Sequence, residues 1–102
     1  MSYTEKEHQM KVNAFEDIAI ELRNIYDAKN RDYGDSFSQS FNEEGMAMVR
    51  IRLGDKLNRL KNLTRGAEQQ VKDESVRDTL MDLANYAIMT VMELDKKNST
   101  EE

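Results

Sequence analysis

Apolar residues recur three and four positions apart in three long stretches of the chain, with charged residues between them, the period of a helix face rather than the alternation of a strand. The first stretch predicts a helix over residues 4–29, with Phe15, Ile18, Ala19, Leu22, Ile25 and Tyr26 on one face and Met10 and Val12 near its entry. Residues 30–37 read Asn-Arg-Asp-Tyr-Gly-Asp-Ser-Phe, where Asn, Asp and Gly supply turn chemistry, so a loop is expected there. A short helix over 36–42 then presents Phe37 and Phe41, four apart, until Gly45 interrupts it. The third helix is expected over 46–65, with Met46, Val49, Leu53, Leu57, Leu60 and Leu63 forming a stripe and Gly66 as C-cap. Gly54 lies inside that helix at a cost of about 1 kcal/mol relative to alanine, either simply tolerated or offset by close approach of a backbone or ligand.

The last helix is expected over 72–96, started by Asp73 or Ser75, with Lys96 and Lys97 suiting its C-terminal end and 98–102 a frayed polar tail. Val76, Leu80, Leu83, Ala84, Ala87, Val91 and Leu94 line one side, and Met81, Ile88 and Met92 widen the band until it is broad enough for two partners. Together these elements predict an all-α fold, a single domain over 1–102 arranged as a compact bundle of three long helices plus a short one.

Composition adds constraints. A chain of 102 residues hides roughly 65% of its unfolded surface, enough for one modest core. With 38% hydrophobic and 34% charged residues, that core gains from self-association, so a homo-oligomer is expected. A net charge of −5 argues against nonspecific binding of nucleic acid or anionic membranes, so any phosphate site must be local. There is no cysteine, which removes disulfides and thiolate metal sites. The first residues lack the apolar core of a signal peptide and no run is long enough to span a bilayer, so a cytoplasmic location is expected.

Candidate chemistry lies at the margins of the apolar faces. Arg52, Lys56 and Arg59 are four and three apart and follow one edge of the third helix, with Asp55 in reach of Arg52 and Arg59. Glu74, Asp78, Asp82, Asn85 and Tyr86 follow an edge of the last helix in the same way. Facing one another, the two stripes make either a phosphate site, in which arginine forks clamp oxygens and carboxylates hold Mg²⁺, or an interhelical salt-bridge lattice. On the residues alone the lattice is the commoner arrangement. Lys29, Arg31 and Tyr33, in the segment 29–35 where the first helix gives way to the expected loop, could admit a phosphate and stack a base, or simply connect two helices. His8 is the single histidine, which excludes a histidine metal cluster within one chain, and the seven methionines suit adaptable packing or an oligomer interface.

Three ordered segments carry a family resemblance: residues 26–37, YDAKNRDYGDSF; 51–60, IRLGDKLNRL; and 78–89, DTLMDLANYAIM. Over about Ala14 to Leu94 the chain resembles the nucleotide modification associated domain family, which is frequent in phages. The resemblance implies an all-α domain linked to nucleotide metabolism or modification. The chain is also distantly similar to MazG-like all-α nucleotide pyrophosphohydrolases, which hold Mg²⁺ on carboxylates of two helices. It departs from their pattern: Arg52, Asp55, Lys56 and Arg59 stand where acids are wanted, and Asp78 and Asp82 are four rather than three apart.

The leading expectation is a phage-type protein that captures a nucleotide or nucleotide-derived signal, linear or cyclic, and sequesters it. Lys29, Arg31, Arg52, Lys56 and Arg59 hold phosphate, Tyr33 or Tyr86 stacks the base, and Asp55, Glu74, Asp78, Asp82 and Asn85 support them. The alternatives are a Mg²⁺-dependent pyrophosphohydrolase, with Glu74, Asp78 and Asp82 as metal ligands, and a structural adaptor whose charged seam is a subunit contact.

Overall fold

The computed structural model describes residues 2–65 and 73–100, and among them the chain is all-α, with three long helices, one short one and no strand. In chain order they are α1 (Glu5–Tyr33), α2 (Ser36–Glu44), α3 (Met46–Thr64) and α4 (Asp73–Thr100). The chain divides into two compact units, Met1–Gly34 and Asp35–Glu102. No helix among the described residues is long and apolar enough to cross a membrane.

The first unit is essentially α1. Thr4 caps it: its Oγ1 accepts the backbone N–H of Glu7 at 3.1 Å, and its hydroxyl donates to the Glu7 carboxylate at 3.1 Å. Glu5 and Glu7 in the first turn and Arg31 in the last complement the helix dipole. The helix runs past the expected end at residue 29. Nothing in Asn30-Arg31-Asp32-Tyr33 forbids helical dihedrals, Arg31 Nε pairs with Asp27 Oδ1 one turn back at 3.0 Å, and the break waits for Gly34. Gly34 takes left-handed dihedrals (φ 60°, ψ 40°) and its N–H donates to the Asn30 carbonyl, closing the helix. The expected loop is therefore the last turn of α1 plus the two-residue junction Gly34-Asp35.

The second unit contains the core. Phe37, Met48 and Val49 are buried together, with Phe41, Leu53, Tyr86 and Met89 packed against them. α3 and α4 lie along one another and α2 packs on both. Gly45 makes the sharp turn from α2 to α3 at φ 64° and ψ −147°, a region open only to glycine, and its N–H closes α2 on the Phe41 carbonyl at 2.8 Å. That turn re-aims α3. Met48 becomes a core residue, whereas Met46 and Leu57, expected on the buried stripe, are about half exposed. α4 continues through Asn98 to Thr100, so the expected tail is helical over those residues. Gly66 and the Asp73 side chain, the expected caps, lie outside the described residues. At Gly54 a Cβ would meet nothing within 4 Å among the described residues, so no neighbouring backbone described there requires the glycine.

Two threonines are buried in α4, Thr79 at 2% exposure and Thr90 at 7%. Each hydroxyl donates to the carbonyl four residues earlier, Thr79 to Ser75 at 2.9 Å and Thr90 to Tyr86 at 2.7 Å, so neither is left unsatisfied. Ser38, buried on α2, instead donates across to Glu93 Oε1 on α4 at 3.0 Å, a polar tie between helices that the sequence did not reveal.

Candidate functional site

The helical period puts Arg52, Lys56 and Arg59 along one edge of α3, and the packing of α3 on α4 brings two of them to the opposite stripe. Lys56 Nζ lies 3.0 Å from Asp82 Oδ2, with about a quarter of each side chain exposed. Arg52 is half-buried, and its guanidinium carbon sits 6.0 Å from the Phe37 ring centroid and 5.9 Å from that of Tyr86. The two rings stack on one another, 6.0 Å between centroids and 20° between planes. Arg52, Phe37 and Tyr86 thus join α3, α2 and α4 through offset stacking and cation–π attraction. The Phe37–Tyr86 contact gives Tyr86, expected as a base stacker, an aromatic partner inside the chain.

Arg59 and Asp55 are exposed, and among the described residues no ion pair joins Asp55 to Arg52 or Arg59. Asp78 is exposed, Asn85 is half-buried beside the seam, and Glu74 is the second residue of α4, its side chain outside the described residues. Lys29, Arg31 and Tyr33 belong to α1, where all three are exposed and Arg31 is tied to Asp27.

The described carboxylates do not assemble into a metal cluster. Among the described residues no three His, Asp or Glu side chains converge as metal ligands, and the half-buried Asp82 already faces a lysine. A cation such as Mg²⁺ prefers one or two free carboxylates plus substrate oxygens, and Lys56 opposes a second positive charge at Asp82. What the seam offers is positive charge beside aromatic surface, two chemistries suited to an anion that carries a ring.

Comparison with curated proteins and with solved structures gives no significant match to either. Comparison with family models matches residues 29–94 to nucleotide modification associated domain 1. The match ends at the expected residue, Leu94, but begins at Lys29 rather than Ala14. It takes in the end of α1, all of α2 and α3, and α4 as far as Leu94, and therefore every candidate residue of the seam. Spanning more than half of the sequence, it establishes that the chain belongs to the nucleotide modification associated domain 1 family.

Proposed function

We propose that the chain binds a nucleotide or nucleotide-derived anion, linear or cyclic, along the seam of α3 and α4, and holds it without consuming it. The observation that carries this reading is the row Arg52, Lys56 and Arg59 on one helix edge of a protein whose net charge is −5. Two of the three are held half-buried by α4 and α2, where an anion gains more from them than from solvated side chains. Lys56 exchanges Asp82 for a phosphate oxygen, one charge-assisted contact for another, and Arg59 is exposed at the end of the row. Tyr86, half-buried beside the cations and stacked on the buried Phe37, provides the aromatic surface for the base. A phage-encoded protein of this kind withdraws a nucleotide signal from the cell it infects.

Calorimetric titration tests the reading against mono-, di- and triphosphates and cyclic dinucleotides, with and without Mg²⁺, followed by recovery of the nucleotide. The expected result is saturable binding with the ligand recovered intact, and about tenfold weaker binding for Arg59→Ala, equivalent to loss of one charge-assisted contact. Alanine variants of Lys29, Arg31 and Tyr33 in the same titrations report whether α1 contributes. Absence of binding across the panel overturns the proposal, and release of pyrophosphate or monophosphate replaces it with the hydrolase reading.

A further inference from the structure

The cations of the seam do not meet a ligand alone. Among the described residues the half-buried charged side chains of α3 and α4 are Arg52, Lys56, Asp82 and Glu93. Glu93 lies about 16 Å along α4 from Asp82 and accepts the Ser38 hydroxyl. The middle of the seam therefore holds two positive charges and one negative. Asp82 Oδ2 stands 3.0 Å from Lys56 Nζ, in the place a phosphate oxygen takes when it meets that lysine. Arg52, one turn before Lys56 on the same edge, lies over the Phe37 and Tyr86 rings. Asp55, Asp78 and Arg59 are exposed, where water and salt screen their charges.

We propose that Asp82 sets the charge that the seam accepts, so that it takes a singly charged phosphodiester in preference to a doubly charged phosphate monoester. The proposal rests on the nucleotide reading above and deepens it. A phosphate held by Arg52 and Lys56 comes within a few ångströms of the Asp82 carboxylate, because Lys56 already touches that carboxylate. About three-quarters of both Lys56 and Asp82 is covered, and like charges so close oppose one another more strongly there than in open water. One negative charge on the ligand brings Arg52, Lys56 and Asp82 to neutrality, and a second is left unmatched. A phosphodiester carries one such charge. A monoester, whose second proton leaves near pH 6, carries two at pH 8. The ligand class is thus a phosphate that links two carbons of a nucleotide, and terminal phosphates are disfavoured. An acid that served only to anchor Lys56 would not distinguish the two.

The test is calorimetric titration of the full chain at pH 8, without Mg²⁺. The probes are the 5′-monophosphates of adenosine, guanosine, cytidine and uridine, the methyl esters of those phosphates, and the 3′,5′-cyclic monophosphates. Wild type is expected to bind the methyl ester and the cyclic form about tenfold more tightly than the monophosphate of the same base. Asp82→Asn is expected to erase most of that preference by tightening the monophosphate, and Asp82→Glu to keep it, with circular dichroism confirming that each variant is helical. A preference that survives in helical Asp82→Asn overturns the proposal and leaves the nucleotide reading standing. The same holds if wild type binds the monophosphate as tightly as its methyl ester, and this comparison decides the matter if Asp82→Asn loses its helical signal. A methyl ester that binds like the monophosphate while the cyclic form binds tightly shows selection for ring shape and overturns the proposal too. No binding by these compounds or by cyclic dinucleotides overturns the nucleotide reading itself, and this proposal with it.

Discussion

The Lys56–Asp82 pair can be weighed by a double-mutant cycle with Lys56→Met and Asp82→Asn. At a separation of 3.0 Å and an effective dielectric constant of 20, the gross Coulomb attraction is about 5 kcal/mol. Most of that is offset by desolvation, since about three-quarters of each side chain is covered and removing an ion from water costs several kcal/mol. Fully exposed pairs are worth about 0.2–1 kcal/mol, so a net coupling of about 1 kcal/mol is expected here. Either single substitution breaks the pair and is expected to cost about 1.5 kcal/mol, and the double substitution about 2 kcal/mol, so the effects fall short of additivity by the coupling. Urea unfolding monitored by circular dichroism supplies the free energies, and for about 100 residues each kcal/mol moves the thermal midpoint by roughly 4–8 °C. Strictly additive effects, with a coupling below about 0.3 kcal/mol, refute the reasoning and leave the pair a contact without energetic consequence. The cycle also bears on function: a saturating anionic ligand is expected to reduce the coupling, because Lys56 then turns from Asp82 to phosphate.

Other consequences are simpler to measure. Val49→Ala removes two methyl groups from a site only 2% exposed and is expected to cost about 2 kcal/mol in the same urea assay. The glycines of the second unit should respond in opposite directions. Gly54→Ala is expected to raise the thermal midpoint, gaining up to about 1 kcal/mol from helix propensity in open space, whereas Gly45→Ala forces a side chain to φ 64° and ψ −147° and is expected to cost about 1–3 kcal/mol. Arg52→Lys keeps the charge but loses the planar group over two rings, and is expected to lose about 0.5–1 kcal/mol in wild type and less in a Tyr86→Leu background.

What the sequence reveals and what it hides follow from the range of the forces involved. Helix type, number and approximate extent are local properties, and the 3.6-residue period of Leu53, Leu60 and Leu63 or of Leu83, Ala87 and Val91 expresses them directly. Residues 30–33 were misread because composition resembled a turn, whereas termination depends on where left-handed dihedrals become cheap, and that place is Gly34. The pairing of the basic and acidic stripes was legible, since both follow helix edges, and Lys56 with Asp82 realises it. The Arg52–Phe37–Tyr86 stack was not, because it requires α2 to fold back across α3 and α4. A short helix of nine residues carries no periodic signal strong enough to say which way its aromatic residues turn. Met48 entered the core for a related reason: the turn at Gly45 sets which side of α3 is covered, and that direction is tertiary information.

The polar atoms inside α4 differ in what they demand of their neighbours. Thr79 and Thr90 spend their hydroxyl protons within their own helix, so side chains packed against them can vary in size and shape without stranding a donor. Ser38 and Glu93 bind each other across two helices, and a shift of one residue between α2 and α4 breaks that bond. The former leave the interior open to sequence drift, while the latter acts as an alignment pin. Among descendants of this chain, threonine-to-valine replacements at 79 and 90 should therefore accumulate freely, and changes at 38 and 93 should occur together or not at all.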